Sequence, residues 1–181
     1  MRRLRYNVAT SLDGYIGPHD GSTAWITEDP EIDFAALYAE FDTFIMGRKT
    51  YEQLKLMGDE NPLRAYHAPA VLIVSKTLRP EENPDVTIIG DDFLAEIRRR
   101  KELEGRDIWL FGGGELLGAC LDSGLVDTIE TAIVPTLLRG GIKMVAETAE
   151  GWSLLGQRLQ LESVRNLEVS GIVLCVYRVI K

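Results

Sequence analysis

The stretch Phe44-Ile45-Met46-Gly47-Arg48-Lys49-Thr50-Tyr51 decides the fold. An apolar run ends at a glycine, and a helix-compatible run follows at once. The same pattern returns at Leu110-Phe111-Gly112-Gly113-Gly114-Glu115-Leu116. A buried strand that turns directly into a helix is the building unit of an α/β sheet. Each junction also puts a strand's C-terminal end beside a helix N-terminus, where free N–H groups and the helix dipole attract phosphate. Two such junctions in one small chain point to a long, polyanionic ligand such as a dinucleotide.

Working outward, the pattern predicts strands over 4–10, 43–46, 70–75, 86–89, 107–111 and 128–134. Helices are predicted from Thr27 or the Asp29-Pro30 pair to 40, over 49–57, from Asp91 or Asp92 to 104, and over 115–123. Segments 159–166 and 169–180 alternate or run apolar with no helix between them, which makes them an antiparallel pair. The expected architecture is an α/β, three-layer α/β/α sandwich: a mostly parallel central sheet with a C-terminal antiparallel hairpin. At 181 residues and 45% hydrophobic content, residues 1–181 read as a single domain with one core.

The formal net charge is -8 and the pI is about 4.9. That argues against nucleic-acid or membrane-surface partners, which favour basic faces. An anionic cofactor must then meet local positive charge, and Arg48-Lys49 supplies it. Cys120 and Cys175 both sit in apolar stretches and read as reduced core residues, so the expected location is cytoplasmic. The chain enters its first strand without a signal-peptide core, and no run approaches a membrane helix in length. His19 and His67 have no neighbouring ligands at metal spacing, so no metal is expected. The basic run Arg98-Arg99-Arg100-Lys101, flanked by glutamates, reads as a solvated helix face. There is no Gly-x-Ser-x-Gly elbow, and no G-x-G-x-x-G follows the first strand.

These motifs carry a resemblance. Met46-Gly47-Arg48-Lys49-Thr50-Tyr51 and Phe111-Gly112-Gly113-Gly114-Glu115-Leu116 resemble the two cofactor-binding junctions of dihydrofolate reductases. Ala9-Thr10-Ser11-Leu12-Asp13-Gly14-Tyr15-Ile16, Ser22-Thr23-Ala24-Trp25-Ile26-Thr27 and Val134-Pro135-Thr136-Leu137-Leu138-Arg139-Gly140-Gly141 resemble a sister group. That group is the reductase domain of the riboflavin-pathway deaminase–reductase, with its stand-alone relatives. The zinc motif of the deaminase half is absent from this sequence.

The resemblance implies a dihydrofolate-reductase-like fold, NADPH as cofactor, and hydride transfer to a small heterocycle or ribosylamino-pyrimidine. It puts Gly47, Arg48, Lys49 and Thr50 on the NADPH phosphates, with Ser75 and Lys76 at the 2′-phosphate on the adenosine side. Lys76 reads equally as a strand end leaving for water. The pyrophosphate would lie at Gly112, Gly113 and Gly114, which the resemblance joins through a cis Gly112–Gly113 peptide, and at Glu115 and Leu116 in the helix's first turn. The backbone of Ala9 would meet the nicotinamide. Asp13 is either part of a covering loop or an Asx-turn residue. Ser22 and Trp25 would line the substrate pocket. A carboxylate on the first helix recognises the pterin in dihydrofolate reductases, and Asp33 is the catalytic candidate here; it reads equally as a first-turn acid favoured by the dipole. One departure stands out. The riboflavin-pathway enzymes carry basic residues for the ribose phosphate, one of them on this helix; residues 34–40 offer none, while Arg64 in Asn61-Pro62-Leu63-Arg64 resembles another. Rival readings are a true dihydrofolate reductase and a non-catalytic nucleotide-binding module. Relatives often pair, so a homodimer is expected, with residues 171–180 as its candidate surface.

Overall fold

The computed structural model describes residues 1–146 and 156–181. Along them run β1 (Leu4–Ser11), β2 (Tyr15–Gly17), α1 (Phe34–Ala39), β3 (Phe41–Gly47), α2 (Arg48–Leu56), β4 (Val71–Val74), β5 (Thr87–Ile89) and α3 (Phe93–Glu102). Then follow β6 (Asp107–Gly112), α4 (Gly114–Asp122), β7 (Thr128–Val134), β8 (Ile142–Lys143), β9 (Leu159–Asn166) and β10 (Val173–Val179). The main sheet has the order β5-β4-β3-β6-β1-β7-β10-β9. The first six of these are parallel, while β10 runs antiparallel to both β7 and β9. This is the predicted sandwich with its C-terminal hairpin.

Alternation explains why the parallel strands read as unbroken apolar runs. Ile45 and Leu110 point to one face and join Ile97, Leu117 and Cys120. Their neighbours Phe44, Met46 and Trp109 point to the other and join Leu37, Tyr38 and Leu54. Cys120 and Cys175 are both buried free thiols, and burial pushes the Cys120 thiol up to about 12. Strands β3, β4 and β5 step outward in order, and β6 then returns between β3 and β1. At such a reversal the connections leave in opposite directions and open a crevice at the C-terminal strand ends.

The structure corrects several sequence readings. The first helix begins at Phe34, not at Thr27 or Asp29. Asp29 is buried and spends its carboxylate on the backbone N–H groups of Glu31 (2.8 Å) and Ser170 (3.0 Å). The loop over 11–26 contains β2, which pairs with β8 more than a hundred residues away. Lys101 does not belong to a solvated face: it is buried, with its ammonium donating to the Leu125 carbonyl at 2.6 Å and to the Asp127 carboxylate. Strand β10 is interior, so the free sheet edge belongs to β9 rather than to residues 171–180. No helix among the described residues is long and apolar enough to cross a membrane.

Candidate active site

The two glycine junctions meet. Met46 is the register partner of Gly112, and a Cβ on Gly47 would stand 4.0 Å from the Gly112 carbonyl oxygen. Gly47 and Gly113 are the N-caps of α2 and α4, both extended and both without a side-chain hydrogen bond to the helix. The first-turn N–H groups of two neighbouring helices are therefore left uncapped by side chains at the same place. The Gly112–Gly113 peptide is cis, as the resemblance implied. Gly112 holds a φ of +144°, and Cβ atoms on Gly112 and Gly113 would stand 3.5 and 3.8 Å from the Thr50 hydroxyl. Only glycine combines that φ with so close an approach.

A cleft of about 1770 Å³ opens from these bends. Ala9, Gly47, Arg48, Lys49, Thr50, Ser75, Lys76, Gly112, Gly113, Gly114, Glu115, Leu116 and Asp33 all line it. Arg48 lies 3.9 Å from Glu52 one turn on. Lys76 forms an exposed ion pair with Asp91. The Ser75 hydroxyl accepts from the N–H groups of Thr77 (3.2 Å) and Leu78 (3.0 Å), shaping the turn after β4. Asp33 is the N-cap of α1, its Oδ1 accepting from Ala36 N–H at 2.9 Å.

The other three predicted residues stand apart from the cleft lining. The Asp13 carboxylate accepts from the Ser11 hydroxyl (2.6 Å) and from Leu138 N–H (3.1 Å) and Arg139 N–H (2.7 Å). It thus ties the loop after β1 to the loop after β7, where Arg139 takes a φ of 61°. The hydrogen bond from Ser11 leads those that hold its carboxyl below the ordinary value. The Ser22 hydroxyl accepts from Ala24 N–H at 3.3 Å and shapes its own turn. Trp25 packs beside Val134, Leu167 and Ile172, its indole N–H buried with no hydrogen-bond partner among the described residues.

Residues that sequence reading passed over complete the far end. Trp109 forms an aromatic wall with Tyr38, Phe41 and Phe111, at centroid distances of 4.9, 4.8 and 5.0 Å. At the floor, Asn7 on β1 is the register partner of Glu130 on β7. The Arg5 guanidinium grips Glu130 with two bonds, of 2.6 and 2.8 Å, and Asn7 Nδ2 adds a third at 3.0 Å. Burial alone would raise the Glu130 carboxyl; the Arg5 hydrogen bond and charge outweigh it and hold the group below its ordinary value. The available signal was a polar residue inside each of two strands predicted to be buried. Gly141, Ile142 and Lys143 also line the cleft, brought there by the β2–β8 pairing.

A mostly parallel sheet with an antiparallel C-terminal pair, a crevice at its strand-order reversal and paired glycine bends at two open helix starts define a dihydrofolate-reductase-like α/β fold. The chain belongs to the RibD C-terminal domain family, which it matches over residues 2–172. It is 29% identical over 189 residues to the uncharacterized protein YyaP of Bacillus subtilis, covering 98% of this chain and 95% of that one. It is 27% identical to the riboflavin biosynthesis protein RibD of Mycobacterium tuberculosis, covering 92% of this chain and 52% of RibD, so it spans about half of that protein. Among solved structures it resembles a riboflavin biosynthesis protein from Shewanella, with TM-score 0.76, 21% identity and full coverage of both chains. It also shares the fold of Enterococcus faecalis dihydrofolate reductase solved with NADP(H), with TM-score 0.62, 13% identity and coverage of 99% and 97%.

Proposed function

We propose that this protein is an NADPH-dependent reductase that transfers a hydride to a small heterocyclic or ribosylamino-pyrimidine substrate, a reaction of the riboflavin-pathway reductase type. The observation that carries this reading is the meeting of the two glycine bends at open helix starts. The residues present suit a dinucleotide phosphate ester. Gly47–Thr50 and Gly113–Leu116 offer backbone N–H groups to a pyrophosphate, and Arg48, Ser75 and Lys76 offer charge and a hydroxyl to a 2′-phosphate. Ala9 lies on the nicotinamide side.

Bound NADPH would supply the hydride equivalent; the chain orients the reacting carbon, excludes water and delivers a proton. Asp33 is the group we assign to the substrate and the proton. It lines the cleft, and its Oδ1 alone is engaged in capping. Asp33→Asn makes a clean test, because asparagine caps a helix as well as aspartate does. Turnover should fall about a hundredfold, the lower range for loss of a general acid, with an unchanged melting temperature. We also propose a homodimer, supported by the exposed Leu159, Leu161 and Val164 on edge strand β9; sedimentation that returns a monomer ends that proposal.

The central experiment is titration with NADPH and NADH by fluorescence, followed by assay against dihydrofolate and 5-amino-6-(5-phosphoribosylamino)uracil. Tight NADPH binding with turnover of either substrate supports a reductase. NADPH binding without any turnover favours the non-catalytic module, and absence of binding removes both readings.

A further inference from the structure

We propose that the substrate end of the cleft takes a planar, nitrogen-rich heterocycle that is uncharged or cationic and carries no phosphate. This rests on the reductase reading and narrows it, because the substrate named for a Thermotoga maritima structural relative is a phosphoribosyl compound.

Charge is divided along the cleft. Arg48, Lys49 and Lys76 line the cleft at the glycine bends, where Arg48 lies 3.9 Å from Glu52, Lys76 pairs with Asp91, and Glu52 and Glu115 are the lining acids. At the far end Glu28, Asp29, Glu31, Asp33 and Glu130 line the cleft against Arg165. The Arg165 guanidinium is already engaged, 3.9 Å from the Glu31 carboxylate and 3.4 Å from the Glu31 carbonyl oxygen. Arg5 is buried and holds Glu130 and Glu40. Arg64, a cation in the loop after α2, pairs with Asp59 at 2.6 Å and is not part of the lining.

Backbone donors do not rescue an anion there either. A phosphate could approach the start of α1, but the Asp33 carboxylate already takes the Ala36 N–H. The helix end that would attract an anion is filled by one.

What remains suits a flat ring with N–H groups. Phe111, half-buried and backed by the buried Trp109 at a centroid distance of 5.0 Å, presents aromatic surface for stacking. The Asn7 amide is oriented, because its Nδ2 donates to Glu130, an acceptor-only group. Its Oδ1 accepts no hydrogen bond among the described residues and is left as an acceptor at the cleft floor.

The test compares two compounds that differ by one group: 5-amino-6-(5-phosphoribosylamino)uracil and its dephosphorylated riboside. Binding to the full chain saturated with NADP+, which cannot deliver a hydride, is followed by calorimetry. The riboside should bind about tenfold tighter, the effect of one close like-charge contact. Equal or tighter binding of the phosphate, or no measurable binding of either, overturns the proposal. A second arm uses Glu28→Lys/Glu31→Lys, checked for fold by circular dichroism. The preference should move toward the phosphate by about tenfold, and an unmoved preference counts against the charge argument. Repeating the comparison on cofactor-free protein separates the two ideas. Failure of NADPH to bind ends the reductase reading, whereas the ratio between riboside and phosphate judges the charge division alone.

Discussion

The two ends of the cleft are built from different materials. Around Gly47 and Gly112–Gly114 the ligand-facing surface is mostly backbone: strand ends, open N–H groups and missing side chains. Around Asn7, Asp33, Trp109 and Glu130 it is side chain, set on α1, β1, β6 and β7. Backbone surfaces recognise what is common to many ligands, and open N–H groups at a helix start suit a phosphate. Side-chain surfaces recognise what distinguishes one ligand from another. The backbone end is also hemmed in: a Cβ on Gly114 would stand 2.6 Å from the Lys143 carbonyl oxygen and 2.9 Å from Ala146 N. One half of the cleft therefore resists substitution, and the other is free to change specificity while the fold is kept.

The sharpest way to break this contrast is at the one side-chain element that is also structural. Glu130→Ala leaves the Arg5 guanidinium buried without its main partner, which should cost about 3–5 kcal/mol of stability. Urea unfolding measures it. A loss below about 1 kcal/mol, the range of a surface pair, would show that the floor is not held by this ion pair.

Next in size is Gly114→Ala. The new methyl meets carbonyl and amide atoms of the backbone rather than a flexible side-chain tip. Overpacking of this kind costs about 1–3 kcal/mol, and thermal unfolding should show it together with weakened NADPH binding. A variant of wild-type stability and affinity would mean that the backbone end is more plastic than its partner.

Smaller again is Arg48→Ala, at a half-exposed side chain. NADPH affinity should fall about tenfold, or ~1.4 kcal/mol, with NADH binding unchanged. Equal losses for both cofactors would move Arg48 from the 2′-phosphate to the pyrophosphate.

The gentlest test is pH. The folded Glu130 carboxyl titrates below its unfolded value of about 4.3. Its stabilisation is therefore fully present above that value and is lost as pH falls through the folded one. Glu130→Gln should flatten the acid side of a stability–pH curve. The limb becomes shallower without vanishing, because Asp107 and Asp127 are also held below their ordinary values. An identical acid limb in the variant would remove Glu130 from the set.

The contrast also explains what could be read from the chain. The run from Phe44 to Thr50 announces strand, bend and helix within seven residues, because the physics is local. Lys101 misled because a lysine in a basic run reads as solvated; only the fold brings Leu125 and Asp127 to its ammonium. Asp13 left two readings open, and its carboxylate meets its partners across 125 residues of chain at Leu138. Strands β2 and β8, of three and two residues, are too short to carry a periodic signal. Trp25 shows the reverse limit: its motif was recognisable, yet the indole packs into a small apolar cluster beside Val134.

The sequence by itself determined the alternating strands and helices, the parallel core and both glycine bends, since each depends on neighbours within a few residues. Tertiary structure alone decided which bend faces which, how Arg5 and Asn7 meet Glu130, and where the aromatic wall stands. Those contacts join segments far apart in the chain, and their energies exist only once the sheet has set its strand order.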